Sequence, residues 1–160
     1  MSASRMRRGV ATGAPVLLVA LLAPAAAAGG TDAAPAAHPV RSGSTLSAVD
    51  RVADFYGVYI DVLHDSGHGR LSTSLRQHYL TASFRRALVR WEAVHHQDGM
   101  LRTKDVPVQW SVSSNGTGSG RCRSLVTLTW TTPGGPVRHT HLLVQSDLAS
   151  KLISGVKTVK

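Results

Sequence analysis

The sequence predicts an α+β fold: three N-terminal helices packed on a curved four-stranded antiparallel sheet. Three observations carry this expectation. From Ser44 to His96 apolar residues recur at steps of three and four, the period of helices with one buried face. After Asp98-Gly99 they alternate instead, as in half-buried strands. Glycine-rich stretches, "SNGTGSG" and "TPGGP", separate the alternating runs as hairpin turns would. Helices first and strands afterwards is an α+β order.

The first helix is read from "STLSAVDRVADFYGVYIDVLHDSGHG", with Ser44 or Thr45 as its cap. Leu46, Val49, Ala53, Tyr56, Ile60 and Leu63 form one stripe, widened by Val52, Phe55 and Tyr59. The glycines of "DSGHG" end it. "STSLRQHYL" is a short second helix capped by Ser72, and "TASFRRALVRWEAVHHQ" a third with Phe84, Leu88, Trp91 and His95 on its inner stripe. In "KDVPVQW", Asp105 is assigned a structural role, accepting backbone N–H groups at the turn into the sheet.

In the sheet, Val106, Val108, Trp110 and Val112 are expected on one side of the first strand, and Cys122, Val126, Leu128 and Trp130 on one side of the second. "VRHTHLLV" is the third strand and "KLISGVKTVK" the fourth. Alternation along the third strand puts Thr140, Leu142 and Val144 on one face. His139, His141 and Gln145 then lie on the other, beside Arg123 and Thr127 in a simple register.

The start of the chain has the character of an export signal. "MSASRMRR" is basic, "VLLVALLAPAAAA" is a short apolar run, and small residues follow at Ala25–Gly30. This is the order of a secretory signal peptide, with cleavage expected near Ala28. The apolar run is broken by Pro24, too soon for a membrane span, so no span is expected in the mature chain. Residues 29–44, rich in Ala, Pro, Gly and Ser, read as a flexible leader. Residues 45–160 then form one domain, within the usual range of roughly 100–200 residues.

The formal charge of +9 falls by three when Arg5, Arg7 and Arg8 leave with the signal. The remaining cations are scattered, without the dense basic stripe and interleaved aromatics of a nucleic-acid binder. They fit a solvated basic surface, or weak attraction to anionic polymers. Cys122 is the only cysteine, so no internal disulfide forms and the core must hold by packing. Cys122 opens an apolar strand and is read as a small buried hydrophobe rather than a nucleophile.

Eight histidines invite a metal reading, with "HDSGH", "HH" and "HTH" the denser groups. Histidines at i, i+2 on a strand share a face, as some zinc sites require. A third ligand at matching spacing is missing, so no metal or other cofactor is expected, and the pair is read as a polar sheet face.

Three segments carry a family resemblance: "VADFYGVYID" in the first helix, "LRQHYLTASF" at the second helix junction, and "HQDGMLRTKDVPVQWSV" entering the sheet. With the order of elements, they resemble small exported bacterial proteins of the nuclear transport factor 2-like superfamily, in particular a family catalogued only as a domain of unknown function. The resemblance spans Thr45 to Lys160. It implies a cone, helices wrapped by a bent sheet around a cavity. That architecture hosts isomerases, dehydratases and polyketide cyclases as well as non-catalytic binders, so fold alone does not assign function.

On such a cone Tyr56, Tyr59, Trp91, Trp110 and Trp130 would line or fill the interior, and they are the candidate ligand-binding residues. Aromatic rings with polar tips suit an apolar ligand. A catalytic cone would need a general base within reach of substrate, yet Val106 to Val144 holds no Asp or Glu. Asp54 and Asp61 lie off the main helical stripe, Glu92 is expected to be exposed, and an Asp61–His64 or Asp61–His78 dyad reads as a solvated helix end. No catalytic residue is therefore assigned. Two function classes stay open. One is a secreted non-catalytic module for a small apolar ligand or a protein partner, with the outer sheet face as a homodimer surface. The other is a small hydratase or isomerase working in the cone cavity.

Overall fold

The computed structural model describes residues 42–159. The export signal and nearly all of the leader read from the sequence lie outside them, as does Lys160. Three helices, α1 (Ala48–Ser66), α2 (Arg70–Tyr79) and α3 (Ala82–His95), precede four strands: β1 (Gln109–Gly118), β2 (Arg121–Trp130), β3 (Arg138–Asp147) and β4 (Ile153–Val159). The strands form one antiparallel meander in the order β1-β2-β3-β4. The α+β expectation holds: three helices pack on a four-stranded antiparallel sheet.

The start of α1 differs from the sequence reading. Its cap is Ser47, whose Oγ accepts the Asp50 N–H at 3.1 Å, an arrangement worth about 1 kcal/mol. Leu46 therefore precedes the helix and is 80% exposed instead of joining the apolar stripe. The buried stripe consists of Ala48, Val52, Phe55, Tyr56, Gly57, Tyr59, Ile60 and Leu63. Gly67 closes the helix at φ 65°, donating its N–H to the Leu63 carbonyl, a conformation that glycine adopts without a Cβ clash.

Helix α2 begins two residues earlier than Ser72. Gly69 stands at its N-cap, and the Ser72 hydroxyl reaches back to accept the Gly69 N–H at 2.9 Å and donate to the Gly69 carbonyl at 3.0 Å. Thr81 caps α3 by accepting the Phe84 N–H. Between α2 and α3, Leu80 forms a parallel bridge with Ile153, and the Thr81 N–H donates to the Ile153 carbonyl at 3.0 Å. That seam ties the helical layer to β4.

The inner face of the sheet is built as alternation predicts. Val126, Leu128 and Trp130 from β2, and Leu142 and Val144 from β3, join Phe55, Tyr56 and Tyr59 in one core. Cys122 is buried on the same side of β2. The first hairpin is tighter than its glycines suggested. β1 continues through Gly118, and only Ser119 and Gly120, at φ 51° and 72°, turn the chain. The earlier Asn115-Gly116 lies where the register shifts between Ser114 and Thr117, as at a β-bulge. Val106, Trp110 and Val112 pack against the core as expected, but Val108, which precedes β1, is exposed and breaks that run.

Candidate functional site

The five aromatic residues singled out from the sequence do not share one space. Tyr56, Tyr59 and Trp130 belong to the core, Trp110 packs on its margin, and Trp91 stands apart. Phe55 fills the volume between the tyrosines, stacked on Tyr59 with ring centroids 4.9 Å apart and edge-on to Tyr56 at 5.4 Å. Both hydroxyls are engaged. Tyr56 donates to the Met100 carbonyl at 3.0 Å and Tyr59 to Asp98 Oδ2 at 2.6 Å. Burial, reinforced by the Asp98 charge, drives both phenol pKa values far above their ordinary value, so each stays a neutral donor.

Trp91 was expected on the inner stripe of α3 with His95. It is half-buried, and His95 is exposed. The Trp91 ring lies between the His95 imidazole, stacked at 4.0 Å, and the Arg102 guanidinium, 4.0 Å from its centroid. Arg102 takes a positive φ of 58° and donates from Nη2 to the Val156 carbonyl on β4. A cation–π contact and a backbone hydrogen bond thereby hold α3 to β4.

The polar centre of the molecule escaped the sequence reading. It is Asp98, with a side chain only 2% exposed. Its Oδ1 accepts the Met100 and Leu101 N–H groups at 2.7 Å each, and its Oδ2 accepts Tyr59 Oη at 2.6 Å and Arg76 Nη2 at 2.8 Å. Arg76 also donates from Nε to Tyr59 Oη and from Nη1 to Glu92 Oε2. Glu92, expected to be exposed, is half-buried and accepts the Gly99 N–H at 2.7 Å. Gly99 has no room for a side chain: a Cβ there would lie 2.6 Å from Leu88 Cδ2 and 2.8 Å from Glu92 Oε1. The turn into the sheet is thus organised by Asp98. At Asp105 the contact is the reverse of the expected one, its N–H donating to Thr103 Oγ1.

Above this network lies an open cleft of about 400 Å³, lined by His68, Arg76, Glu92, His96, Gln97, Asp98 and Lys104. A second cleft of about 530 Å³ adjoins it, sharing His68 and Arg76 and adding Arg70, Thr73, Ser74 and Gln77. His68 Nε2 stands 3.8 Å from Asp98 Oδ2, beyond hydrogen-bonding distance. The dyads considered for Asp61 do not form: His64 pairs with Asp65 at 3.0 Å, and Asp61 is exposed.

The opposite face of the sheet carries the two strand histidines outward, as alternation predicted. His141 Nδ1 lies 3.0 Å from Thr127 Oγ1 and His139 Nδ1 3.0 Å from Thr129 Oγ1, each pair directly cross-strand. Next along the same face comes the half-buried pair Leu125 and Leu143. Among the described residues, no three His, Cys, Asp or Glu side chains group closely enough to hold a metal ion.

No protein-family model matches the chain, and no curated protein does. Among solved structures, the crystal structure of a protein of unknown function from Bacteroides thetaiotaomicron VPI-5482 is similar, with a TM-score of 0.56 and 19% identity over 69% of this chain and 88% of that one. At that identity the likeness is one of fold.

Proposed function

We propose that this chain is an exported, non-catalytic interaction module on a nuclear transport factor 2-like cone, which pairs with a second copy through the outer face of its sheet. The observation that carries the reading is that face. The apolar residues of β2 and β3 that meet the helices all project from the other side, while Leu125 and Leu143 sit side by side among Thr127, Thr129, His139, His141 and Gln145. A central apolar pair within a polar surround is the usual anatomy of an association surface. The helices-then-meander order supports the cone, and the basic, apolar and small-residue sequence of residues 1–30 supports export.

The committed acid and phenols of the interior argue against a cavity enzyme. A general base needs a free lone pair directed at substrate. Asp98 is buried but already accepts four hydrogen bonds, and the phenols of Tyr56 and Tyr59 are committed to partners within the fold.

Light scattering on the secreted protein tests the pairing. A dimer is expected, and Leu125→Lys with Leu143→Lys should give a folded monomer with unchanged circular dichroism. A wild type that stays monomeric at high concentration overturns the reading. Mass spectrometry tests export separately: the secreted chain should begin within a few residues of Gly29, and an intact Met1 chain in the culture supernatant excludes cleavage.

A further inference from the structure

The paired clefts above Asp98 differ from the rest of the surface in which of their polar groups remain free. Both carboxylates in the floor are spent within the fold. Asp98 accepts four hydrogen bonds, and Glu92 accepts from Arg76 and the Gly99 N–H. Arg76 approaches both acids at 2.8 Å, and Arg102 lies close enough to feel both charges. Two arginines thus balance two carboxylates. Lys104 is then a surplus cation on the cleft wall, and Arg70 another in the adjoining cleft. Among the described residues neither has an ion-pair partner.

The remaining groups on the walls are neutral and polar. His68, His96 and Gln97 line one cleft, and Thr73, Ser74 and Gln77 the other. Arg76 lines both, and of the five N–H groups of its guanidinium four face Tyr59, Glu92 and Asp98, which leaves one on Nη1. Two cations without ion-pair partners and several neutral polar side chains therefore line clefts whose acids are already satisfied. Clefts of about 400 and 530 Å³ exceed the needs of a lone ion and fall in the size range of small-molecule sites.

We infer that these adjoining clefts form a binding site for a small polar organic anion, its phosphate or carboxylate held by Lys104 and the remaining Arg76 N–H and its hydroxyl or amide groups by Ser74, Gln77 and Gln97. Charge-assisted hydrogen bonds to an oxyanion are the stronger kind, and the neutral side chains would select a hydroxylated body over an apolar one. The site is separate from the sheet face and stands whether or not the chain dimerises.

Calorimetry on the secreted protein at constant ionic strength tests this, with glucose 6-phosphate and citrate as probes and glucose and chloride as references. At least one of the two anions is expected to bind. Glucose 6-phosphate alone would identify a phosphate site, citrate alone a carboxylate site. Lys104→Glu should weaken binding by roughly tenfold or more, the scale of one charge-assisted contact, with the circular dichroism unchanged. Arg86→Glu, on the exposed face of α3, makes the same charge change away from the clefts and should stay within about twofold, since exposed charges at a distance are screened. Absence of binding by both anions overturns the inference. So does an equal loss in the two variants, which would reduce the effect to the overall charge of the protein.

Discussion

Arg76 and Asp98 are separated by 22 positions yet meet at 2.8 Å, joining α2 to the loop that leads into the sheet. The same guanidinium reaches Glu92 on α3 and Tyr59 on α1, so one side chain ties three helices to that loop. Arg76→Met should destabilise the fold by about 3–5 kcal/mol, because it leaves buried carboxylate charge without its partner. Asp98→Asn should cost less, since an amide keeps one acceptor oxygen and removes the charge. The two changes together should cost less than the sum of the singles, as coupled sites do. Urea denaturation of the three variants checks this, and strict additivity would count against a shared network.

The buried phenols predict loss of stability at alkaline pH. Tyr56 and Tyr59 have pKa values raised by burial and by the neighbouring Asp98 charge. A raised folded-state pKa contributes stability that is whole below the unfolded value, about 10, and falls as pH climbs above it, because the unfolded chain releases its protons first. Stability should therefore decline above about pH 10 by up to about 1.4 kcal/mol per pH unit for each phenol. Tyr56→Phe should make the decline shallower. Equal slopes in the variant and the wild type would refute the assignment.

Cys122 should react slowly with thiol reagents in the native protein and quickly in denaturant, since it is only 3% exposed and reactivity follows access. Labelling followed by mass spectrometry decides the matter, and rapid native modification would place the thiol at the surface.

His139 and His141 are exposed, and each has its Nδ1 against a threonine hydroxyl. Replacing both by Ala should change stability by no more than about 1 kcal/mol, the scale of exposed substitutions and weak side-chain hydrogen bonds. Low-micromolar zinc should stabilise the wild type little, because binding to the folded state alone would raise stability with the logarithm of concentration over Kd. A zinc-dependent rise in Tm that the double variant abolishes would show a metal site instead.

Much of this architecture was legible because it is periodic. The helical stripe of Val52, Phe55, Tyr56 and Tyr59, the inward run of Val126, Leu128 and Trp130, and the outward histidines all follow from a repeat of 3.6 or 2. Asp98 was not, since its partners stand at 59, 76, 100 and 101 and share no period. Glu92 was misplaced for a related reason: its neighbours on α3 gave no sign that Arg76 on α2 would draw it inward. Trp91 follows Phe84 and Leu88 in spacing yet stays outside the core, where Arg102, held at a positive φ after the Asp98 turn, covers its ring. Leu46 failed only because the cap fell at Ser47.

The seam between Thr81 and Ile153 bears on the order in which the molecule can be made. All three helices leave the ribosome well before β4, yet the α2–α3 junction has its backbone partner there. Until residue 153 emerges, the helices lack this anchor and the β3 edge lacks its neighbour. The nascent chain is then open to premature association through that edge.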